Sequence, residues 1–512
     1  MTDISGAPCY GMDPIFGVCD MQPLSWIVAV AIPTCFALAM VMGANDVANA
    51  FGTSVGAGVL TIRVALPIAA VFEFVGAITL GRGVSTTIRK GIVDVSTFNE
   101  VPGLLMLGNW CSAVGAAGWV GISTVLALPT STTNAVVGAI VGFALTENGS
   151  SGVDWKGLGI IVASWIISPV FAGCMAAVVY TVARKVVLEQ EIEVGLARSR
   201  WFLSAAIALI IFLVTVFIAY DVSDSVGIWS WLGAVMALVI AVVVFLALFY
   251  LPFGIDLFIK TVVSSIDARE EKAAEEAAEN GEVGTTSSSV VQLTNQSTRN
   301  DIEKKGSTGS DIGNADDLMI EESEPDANQG MTLYDQTVER RFAAGQVVNA
   351  CYLSFNHGAN DIANVAGPVA GVWGVYITGT TAEEYNTPIW IICVMGVGIS
   401  IGLAIWGAPV MRTMGQSMTK VTPARGFSME VGTATAVLIA SFLGIPVSTT
   451  HAAVGSVIAV GLCNGQPLKE AVNWKLFSGI AIGWVVTLPV AGGISAGVYA
   501  LFRPLVNAVM QY

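Results

Sequence analysis

The sequence has 512 residues, of which 54% are hydrophobic and 12% charged, with a formal net charge of −15. Apolar stretches that approach or exceed the roughly 20 residues needed to cross a bilayer recur along its whole length. The composition therefore excludes a soluble globular enzyme and a nucleic-acid-binding module, and it predicts an all-α polytopic membrane protein.

The predicted elements fall into two membrane halves after a short acidic start. Residues 1–23 contain no lysine or arginine and are predicted to be an extracellular N-terminal segment. The first membrane half covers 24–260 and contains repeat 1, and the second covers 342–512 and contains repeat 2. The apolar stretches are 24–43, 64–81, 104–128, 158–183, 201–220, 228–252, 342–356, 388–411, 431–446 and 477–502.

An acidic segment separates the two halves. Residues 266–340 contain 18 Asp or Glu and 6 Lys or Arg, so most of the excess negative charge lies there. Runs such as GTTSSS and KKGSTGSD are too polar to form a packed core. We interpret 261–341 as a cytoplasmic disordered acidic linker that serves as a solvated tether. The alternative is a regulatory segment whose serines are phosphorylated.

Motifs of the first half recur in the second half in the same order. GANDVANA at 43–50 recurs as GANDIANV at 358–365, LALPTSTTNAVVG at 126–138 as LGIPVSTTHAAVG at 443–455, and DWK at 154–156 as NWK at 473–475. The offsets are 315, 317 and 319 residues. Because chance similarity would not keep order and spacing, we infer an internal duplication.

Positive charge predicts how the two repeats are oriented. Lys and Arg in short loops stay on the cytoplasmic side, and they cluster at 184–200 and at 340–341 but are absent before Arg63. Repeat 1 should therefore begin outside and repeat 2 inside, with both termini extracellular. Inverted-topology repeats of this kind are common in secondary transporters with a site near the membrane midplane.

Each repeat contains an Asn-Asp pair in apolar surroundings. An unpaired Asp at the centre of a membrane helix costs roughly 2.5–3.5 kcal/mol, so each of these acids needs a cation. Neither motif includes Lys or Arg, and the neighbouring amide oxygens suit sodium. Gly43 and Gly358 are expected to let the helices unwind and offer carbonyls. The alternative is a motif that only caps a helix. The predicted sodium ligands are Asn45, Asp46, Asn49, Asn360, Asp361 and Asn364.

The Pro-x-Ser-Thr-Thr elements are suited to bind an anion, whereas the Asn-Asp motifs are suited to bind a cation. Pro129 and Pro446 should each end one helix, and the serine that follows should cap the next. A helix N-terminus favours anions, and the apolar runs at 135–145 and 452–463 are short enough to be re-entrant half-helices whose tips meet. The alternative is packing of Ser and Thr between helices. The predicted phosphate contacts are Ser131, Thr132, Thr133, Ser448, Thr449 and Thr450.

Together these parts predict a site for a tetrahedral oxyanion that contains no arginine. Hydroxyls and helix tips would hold the anion, and cations bound at Asp46 and Asp361 would neutralise it. The anion then binds poorly without the cations, which is the coupling that a symporter requires. No organic cofactor is expected.

Two further acids and two histidines lie in or near apolar segments. Glu73 and Glu430 are candidate coupling or gating residues, or they pair with a nearby arginine for a structural role. His357 and His451 adjoin the motifs as pH sensors or as hydrogen-bonded structural residues. Repeat 1 has Met42 and Asn134 at the corresponding positions.

GANDVANAFGTSVGAGVLT, FNHGANDIANVAGPVAG, PTSTT and PVSTTH resemble the duplicated signature of the PiT family of inorganic phosphate transporters, especially its eukaryotic sodium-dependent members. The resemblance covers 24–183 and 342–502. It implies an inverted-repeat fold of about 12 transmembrane helices, a homodimer, and sodium-coupled phosphate import. The acidic N-terminus without arginine does not look like a transit peptide, so we expect the protein in the cell membrane. It also implies the site roles given above, with importance for Glu73 and Glu430. Val365-Ala366-Gly367-Pro368 departs from the Ala-Ile-Gly-Pro expected there.

Other activities are compatible with some of these features. The same family includes proton-coupled phosphate carriers and sulfate permeases, although an oxygen-rich Asn-Asp site favours sodium. A passive anion channel would be excluded only by transport against a gradient. A membrane-embedded aspartyl hydrolase would need two acids sharing a proton, and the sequence has no Gly-x-Gly-Asp element. We therefore predict a transporter and not an enzyme.

Overall fold

The computed structural model describes residues 20–226, 230–251, 254–279, 333–381, 385–419, 421–463 and 467–510. These residues form helices and connecting turns, with a single isolated β-bridge between Val93 and Val153. The α-helices are α1 Ser25–Gly56, α2 Ile62–Lys90, α3 Pro102–Val125, α4 Thr132–Asn148, α5 Trp155–Ala183, α6 Ile192–Val226, α7 Ser230–Tyr250, α8 Ile255–Glu279, α9 Leu333–Glu339, α10 Phe342–Thr378, α11 Ile389–Ser417, α12 Pro423–Phe442, α13 Thr449–Leu462, α14 Leu468–Ala471 and α15 Trp474–Met510.

Eight of the described helical segments are long and apolar enough to cross a membrane, which confirms the prediction of an all-α polytopic membrane protein. Two long helices, α10 and α12, are not among them because buried polar residues lower their hydropathy. The half-helices α4 and α13, with 17 and 14 residues, are shorter than a full crossing requires.

The two Asn-Asp motifs lie inside continuous helices, so the expected unwinding at Gly43 and Gly358 is wrong. Helix α1 runs unbroken through residue 56 and α10 through residue 378. The glycines instead allow close helix contact. A Cβ on Gly43 would lie 2.2 Å from the carbonyl oxygen of Ile399, and one on Gly358 would lie 2.0 Å from that of Glu73. Small residues at such positions let membrane helices approach each other.

The half-helices begin where the Pro-x-Ser-Thr-Thr elements predict. Ser131 caps α4 by accepting a hydrogen bond from the backbone N–H of Asn134, and Ser448 caps α13 by accepting one from that of His451. The predicted N-caps are thereby confirmed. The cap side chain takes up one of the N–H groups that a helix leaves free at its start.

Helix packing repeats between the two halves of the chain. Helix α1 packs along α11, and α10 packs along α2. Helix α4 packs on α15, with Gly138 against the backbone of Leu488, and α13 packs on α5, with Gly455 against the backbone of Pro169. Each half-helix therefore packs against a long helix of the other half, with its N-terminal tip at the centre of the molecule.

The predicted boundaries of the linker need correction at both ends. Helix α8 continues to residue 279, and the chain is helical again from residue 333, whereas 280–332 lie outside the described residues, as do 1–19 of the N-terminal segment. Composition favoured disorder here, but Ile266 packs in an apolar cluster with Val59 and Ala343. Arg269 also donates to the carbonyl oxygen of Val59 at 2.9 Å. These contacts order the charged helix.

Replacing Gly402 by alanine is expected to destabilise the protein, because a Cβ there would lie 1.8 Å from the carbonyl oxygen of Met40. Helix α1 or α11 must then shift, and overpacking of this kind typically costs about 1–3 kcal/mol. Gly483 is the matched control, since a Cβ at that position meets nothing within 4 Å. Thermal unfolding in detergent measures both variants, and equal stability of the two would contradict the close packing of α1 on α11.

Candidate functional site

The two Asn-Asp motifs face each other across the centre of the molecule. Asp46 on α1 and Asp361 on α10 are both fully buried. Ligand atoms of these two carboxylates and of His357 all lie within 4.8 Å of one another. The structure therefore brings together two acids that are 315 positions apart in the sequence.

Each aspartate accepts a hydrogen bond from the half-helix of its own repeat. The Thr132 hydroxyl donates to Oδ2 of Asp46 at 2.8 Å, and the Thr449 hydroxyl donates to Oδ2 of Asp361 at 3.2 Å. Both threonines are the first residues of their half-helices. Each carboxylate consequently lies at the positive end of a helix, which favours negative charge.

Each second asparagine of the motifs contacts the half-helix of the other repeat. Nδ2 of Asn49 donates to the Thr450 hydroxyl at 3.0 Å, and Nδ2 of Asn364 donates to the Thr133 hydroxyl at 3.2 Å. Asn49 also donates to Oδ1 of Asp46 at 3.2 Å. The shorter threonine bonds of the aspartates therefore lie within a repeat, with one longer bond from Thr450 to Asp46 at 3.5 Å, and the asparagines reach threonines of the other repeat.

The tips of the two half-helices contact each other directly. The Thr133 hydroxyl donates to the carbonyl oxygen of Val447 at 3.2 Å, and the Thr450 hydroxyl donates to that of Thr130 at 3.2 Å. The prediction that the tips meet is confirmed. All six Ser and Thr residues of the two Ser-Thr-Thr elements are buried beside the aspartates.

The first asparagines of the motifs bond to the loops before the half-helices. Oδ1 of Asn45 accepts from the backbone N–H of Thr130 at 3.0 Å, and its Nδ2 donates to the carbonyl oxygen of Leu128 at 3.0 Å. With its amide oriented so that the oxygen faces the Ser441 hydroxyl, the assignment that satisfies its neighbours, Asn360 accepts from that hydroxyl at 3.1 Å and donates to the carbonyl oxygen of Val447 at 3.0 Å. Both amides, which the sequence assigned to sodium, therefore hold the two tips against α1 and α10.

His357 joins the site through Asp361, whereas the sequence indicated only a pH sensor or a hydrogen-bonded structural residue there and did not include it among the ligands. Its Nε2 lies 2.8 Å from Oδ2 of Asp361, and its Nδ1 lies 3.2 Å from Oε1 of Glu73 on α2. All three side chains are at most 1% exposed. The available signal was spacing, because residues four apart on a helix share one face. Among the described contacts, the imidazole of His357 links Glu73 to Asp361.

Glu430 occupies a separate pocket next to the aspartates. Its Oε1 accepts hydrogen bonds from Thr53 and Ser54 at 2.7 Å each and from Gln346 at 3.2 Å, while Oε2 has no hydrogen-bond partner among the described residues. The pocket is a small cavity that Asn49 also lines. The described contacts of Glu430 are hydroxyls and an amide, so they do not include the arginine partner considered from sequence.

Charge balance limits what this arrangement can hold. Among the described contacts of Asp46 and Asp361, no lysine or arginine neutralises either carboxylate. Two buried carboxylates this close need a cation or a proton between them. The hydroxyls and amides around them supply hard oxygen ligands for a cation, and the two helix tips can bind an anion.

The contact between Asn364 and Thr133 should be measurable as a coupling free energy. The Asn364→Ala and Thr133→Val variants and their double mutant form a cycle, and polar pairs between membrane helices couple by about 0.6 kcal/mol on average. The control pairs Asn364→Ala with Thr146→Val, since Thr146 bonds only to its own helix through the Gly142 carbonyl. Unfolding free energies that are additive in both cycles would contradict the contact between repeats.

Comparison with known proteins agrees with the geometry. The model of a family described as the phosphate transporter family matches residues 42–495. A protein of Pyrococcus furiosus, whose name as a phosphate permease is an inferred one, is 33% identical to this chain over 484 residues. The match covers 94% of this chain and 97% of that protein. Sodium-dependent phosphate transporter 1-A of Danio rerio is 29% identical over 94% of this chain and 96% of that protein.

A solved structure supports the same assignment. A structure described as the sodium-dependent phosphate transporter superposes with a TM-score of 0.72 at 31% identity, covering 94% of this chain and 100% of that chain. The family model spans both membrane halves and includes both Asn-Asp motifs and both Ser-Thr-Thr elements. This chain belongs to the phosphate transporter family.

Proposed function

We propose that the protein is a sodium-coupled symporter that imports inorganic phosphate. The observation that carries this proposal is the pair of buried aspartates, each hydrogen-bonded to the tip of a half-helix, with no lysine or arginine among their described contacts. Relatives named as sodium-dependent phosphate transporters support both the substrate and the coupling ion.

Phosphate binds between the tips of α4 and α13 in this proposal. Backbone N–H groups at a helix start carry partial positive charge and commonly bind phosphate. Ser131, Thr132 and Thr133, with Ser448, Thr449 and Thr450, add hydroxyl donors. An anion held by neutral donors in a low-dielectric site still repels Asp46 and Asp361, so it requires cations close by.

Sodium ions at the two aspartates meet that requirement. Each aspartate has an asparagine amide nearby, Asn49 for Asp46 and Asn364 for Asp361, whose oxygen can complete an oxygen ligand set. Asn45 and Asn360 contribute by fixing the loops. Since the cations stabilise the anion and the carboxylates together, neither solute occupies the site well alone, which couples their transport.

Glu430 is a coupling or gating residue in this mechanism. The hydroxyls of Thr53 and Ser54 and the amide of Gln346 surround its carboxylate, and one carboxylate oxygen has no partner among the described side chains. A further cation at Glu430 would lie in the cavity that Asn49 also lines, next to Asp46. Glu73 acts indirectly, through its contact with His357.

The membrane arrangement that we propose has about 12 crossing or re-entrant helices in two inverted-topology repeats. The paired contacts of α4 with α15 and of α13 with α5 support the duplication. Rocking one repeat against the other would then expose the central site to each side in turn. An acidic cytoplasmic linker, extracellular termini, a homodimer and a cell-membrane location stay predictions from charge distribution and resemblance.

Phosphate uptake into sealed liposomes tests the proposed function. We expect the purified protein to accumulate labelled phosphate under an inward sodium gradient, because sodium neutralises the aspartate pair. An inward proton gradient without sodium should not drive accumulation. Protein-free liposomes are the control. Accumulation driven by protons alone would favour a proton-coupled permease, sulfate uptake in place of phosphate would change the substrate, and equilibration without accumulation would indicate a passive channel.

The Asp46→Asn and Asp361→Asn variants should each lower sodium-driven uptake by at least about a hundredfold, because a neutral amide cannot offset the charge of a cation in a buried site. Both substitutions preserve side-chain size, so the protein should still fold and insert. Glu189→Gln is the control, because its carboxylate is exposed and pairs only with Arg184 in the described contacts. Wild-type uptake and sodium dependence in both aspartate variants would move the cation site elsewhere.

A further inference from the structure

His451 is a buried histidine near the site that the proposed mechanism does not use. It is the third residue of α13, is 4% exposed, and lies at the position that Asn134 occupies in α4 of the first repeat. Its ring stacks on Trp484, with ring centroids 3.8 Å apart. The two half-helices therefore differ at corresponding positions, and the contacts of the two side chains give the reason.

A chain of hydrogen bonds runs through His451 from one half-helix to the other. The Ser131 hydroxyl donates to Oδ1 of Asn134 at 2.8 Å, which leaves Nδ2 of Asn134 as the donor toward Nε2 of His451 at 3.3 Å. Nε2 must then be the unprotonated nitrogen of the imidazole. Nδ1 consequently carries the proton and donates to the carbonyl oxygen of Trp165 at 3.2 Å.

The carbonyl of Trp165 is available because of a proline one turn later in α5. In an α-helix this oxygen would accept from the N–H of residue 169, but that residue is Pro169, which has none. A buried carbonyl without a donor is costly. His451 supplies the missing hydrogen bond from a neighbouring helix, and α13 approaches closely here because Gly455 lies against the backbone of Pro169.

The corresponding contact, of α4 with α15, has neither the proline nor the histidine. At an offset of 319 residues, Leu488 stands where the other repeat has Pro169, and Trp484 stands where it has Trp165. Leu488 has a backbone N–H, so the carbonyl of Trp484 can be satisfied inside α15. The short side chain of Asn134 suffices there. Histidine thus occurs opposite the helix with a free carbonyl, and asparagine opposite the helix without one.

We propose that His451 is a positioning residue that joins the tip of α13 to the tip of α4 and anchors both to α5 at the carbonyl freed by Pro169. Through these bonds it sets the distance between the threonine hydroxyls of the two tips. The role in phosphate binding rests on the proposed function, whereas the hydrogen-bond chain does not.

Four proteins test the link: the wild type, His451→Asn, Pro169→Leu and the double variant. His451→Asn leaves the carbonyl of Trp165 without a donor, and Pro169→Leu adds an N–H that competes with His451 for that carbonyl. The double variant reproduces the arrangement at the contact of α4 with α15, where asparagine faces a helix that has no proline at the corresponding position. Each single variant should raise the phosphate KM about tenfold with Vmax within about twofold of wild type.

The double variant should recover a KM within about threefold of wild type, since no group is then left unpaired. His451→Gln should also recover it, because an amide can both accept from Asn134 and donate to Trp165. Ser168→Ala is the control for general disturbance of α5, as the Ser168 hydroxyl has no hydrogen-bond partner among the described residues. A double variant as impaired as the worse single variant would overturn the proposal.

Thermal unfolding of the same four proteins separates this proposal from the proposed function. If the wild type fails to take up phosphate with sodium, the proposed function fails, but the stability cycle still reports on the link. We expect the double variant to be more stable than the sum of the two single effects predicts. Strictly additive stabilities would overturn the link whatever the transport assay gives.

Discussion

Two buried carboxylates close together, with no lysine or arginine among their described contacts, are the constraint on which the rest of the site depends. Burying such charges is unfavourable unless they are hydrogen-bonded and neutralised. The fold meets the first need with threonines at two helix starts, Thr132 at Asp46 and Thr449 at Asp361. In the proposed mechanism a transported cation meets the second need, and this dependence on the ion couples its movement to that of the anion.

The hydrogen bonds divide into those within and those between repeats, and this division bears on movement. The shorter threonine bonds of Asp46 and Asp361 come from the tips of their own repeats, whereas Asn49 and Asn364 bond across to the other repeat, as Thr450 does to Asp46 at 3.5 Å. If one repeat rocks against the other, the hydrogen bonds between the repeats must be strained before those within a repeat. The asparagines, together with the contacts between the two tips, therefore connect occupancy of the site to the relative position of the repeats.

The two repeats share the site but differ around it. His357 connects Asp361 to Glu73, and the first repeat has Met42 in the position of His357. Glu430 likewise has a pocket of its own beside Asp46. The two half-helix tips therefore offer the same types of ligand, while the residues around them differ between the two repeats. Pro169 and His451 extend this asymmetry to the support of the half-helices.

The sequence by itself determined the membrane class, the duplication, the two capped half-helices and the residue types of the site, because hydropathy, repeat spacing and proline-serine signals are local properties of the chain. Only the tertiary structure decided that Asn45 and Asn360 bond to loops, that His357 bridges Asp361 and Glu73, and that Thr53, Ser54 and Gln346 surround Glu430. It also decided that Gly43 and Gly358 serve close packing instead of unwinding, and that α8 is ordered. These outcomes depend on which helix faces which residue, and that choice is made by packing between segments hundreds of residues apart.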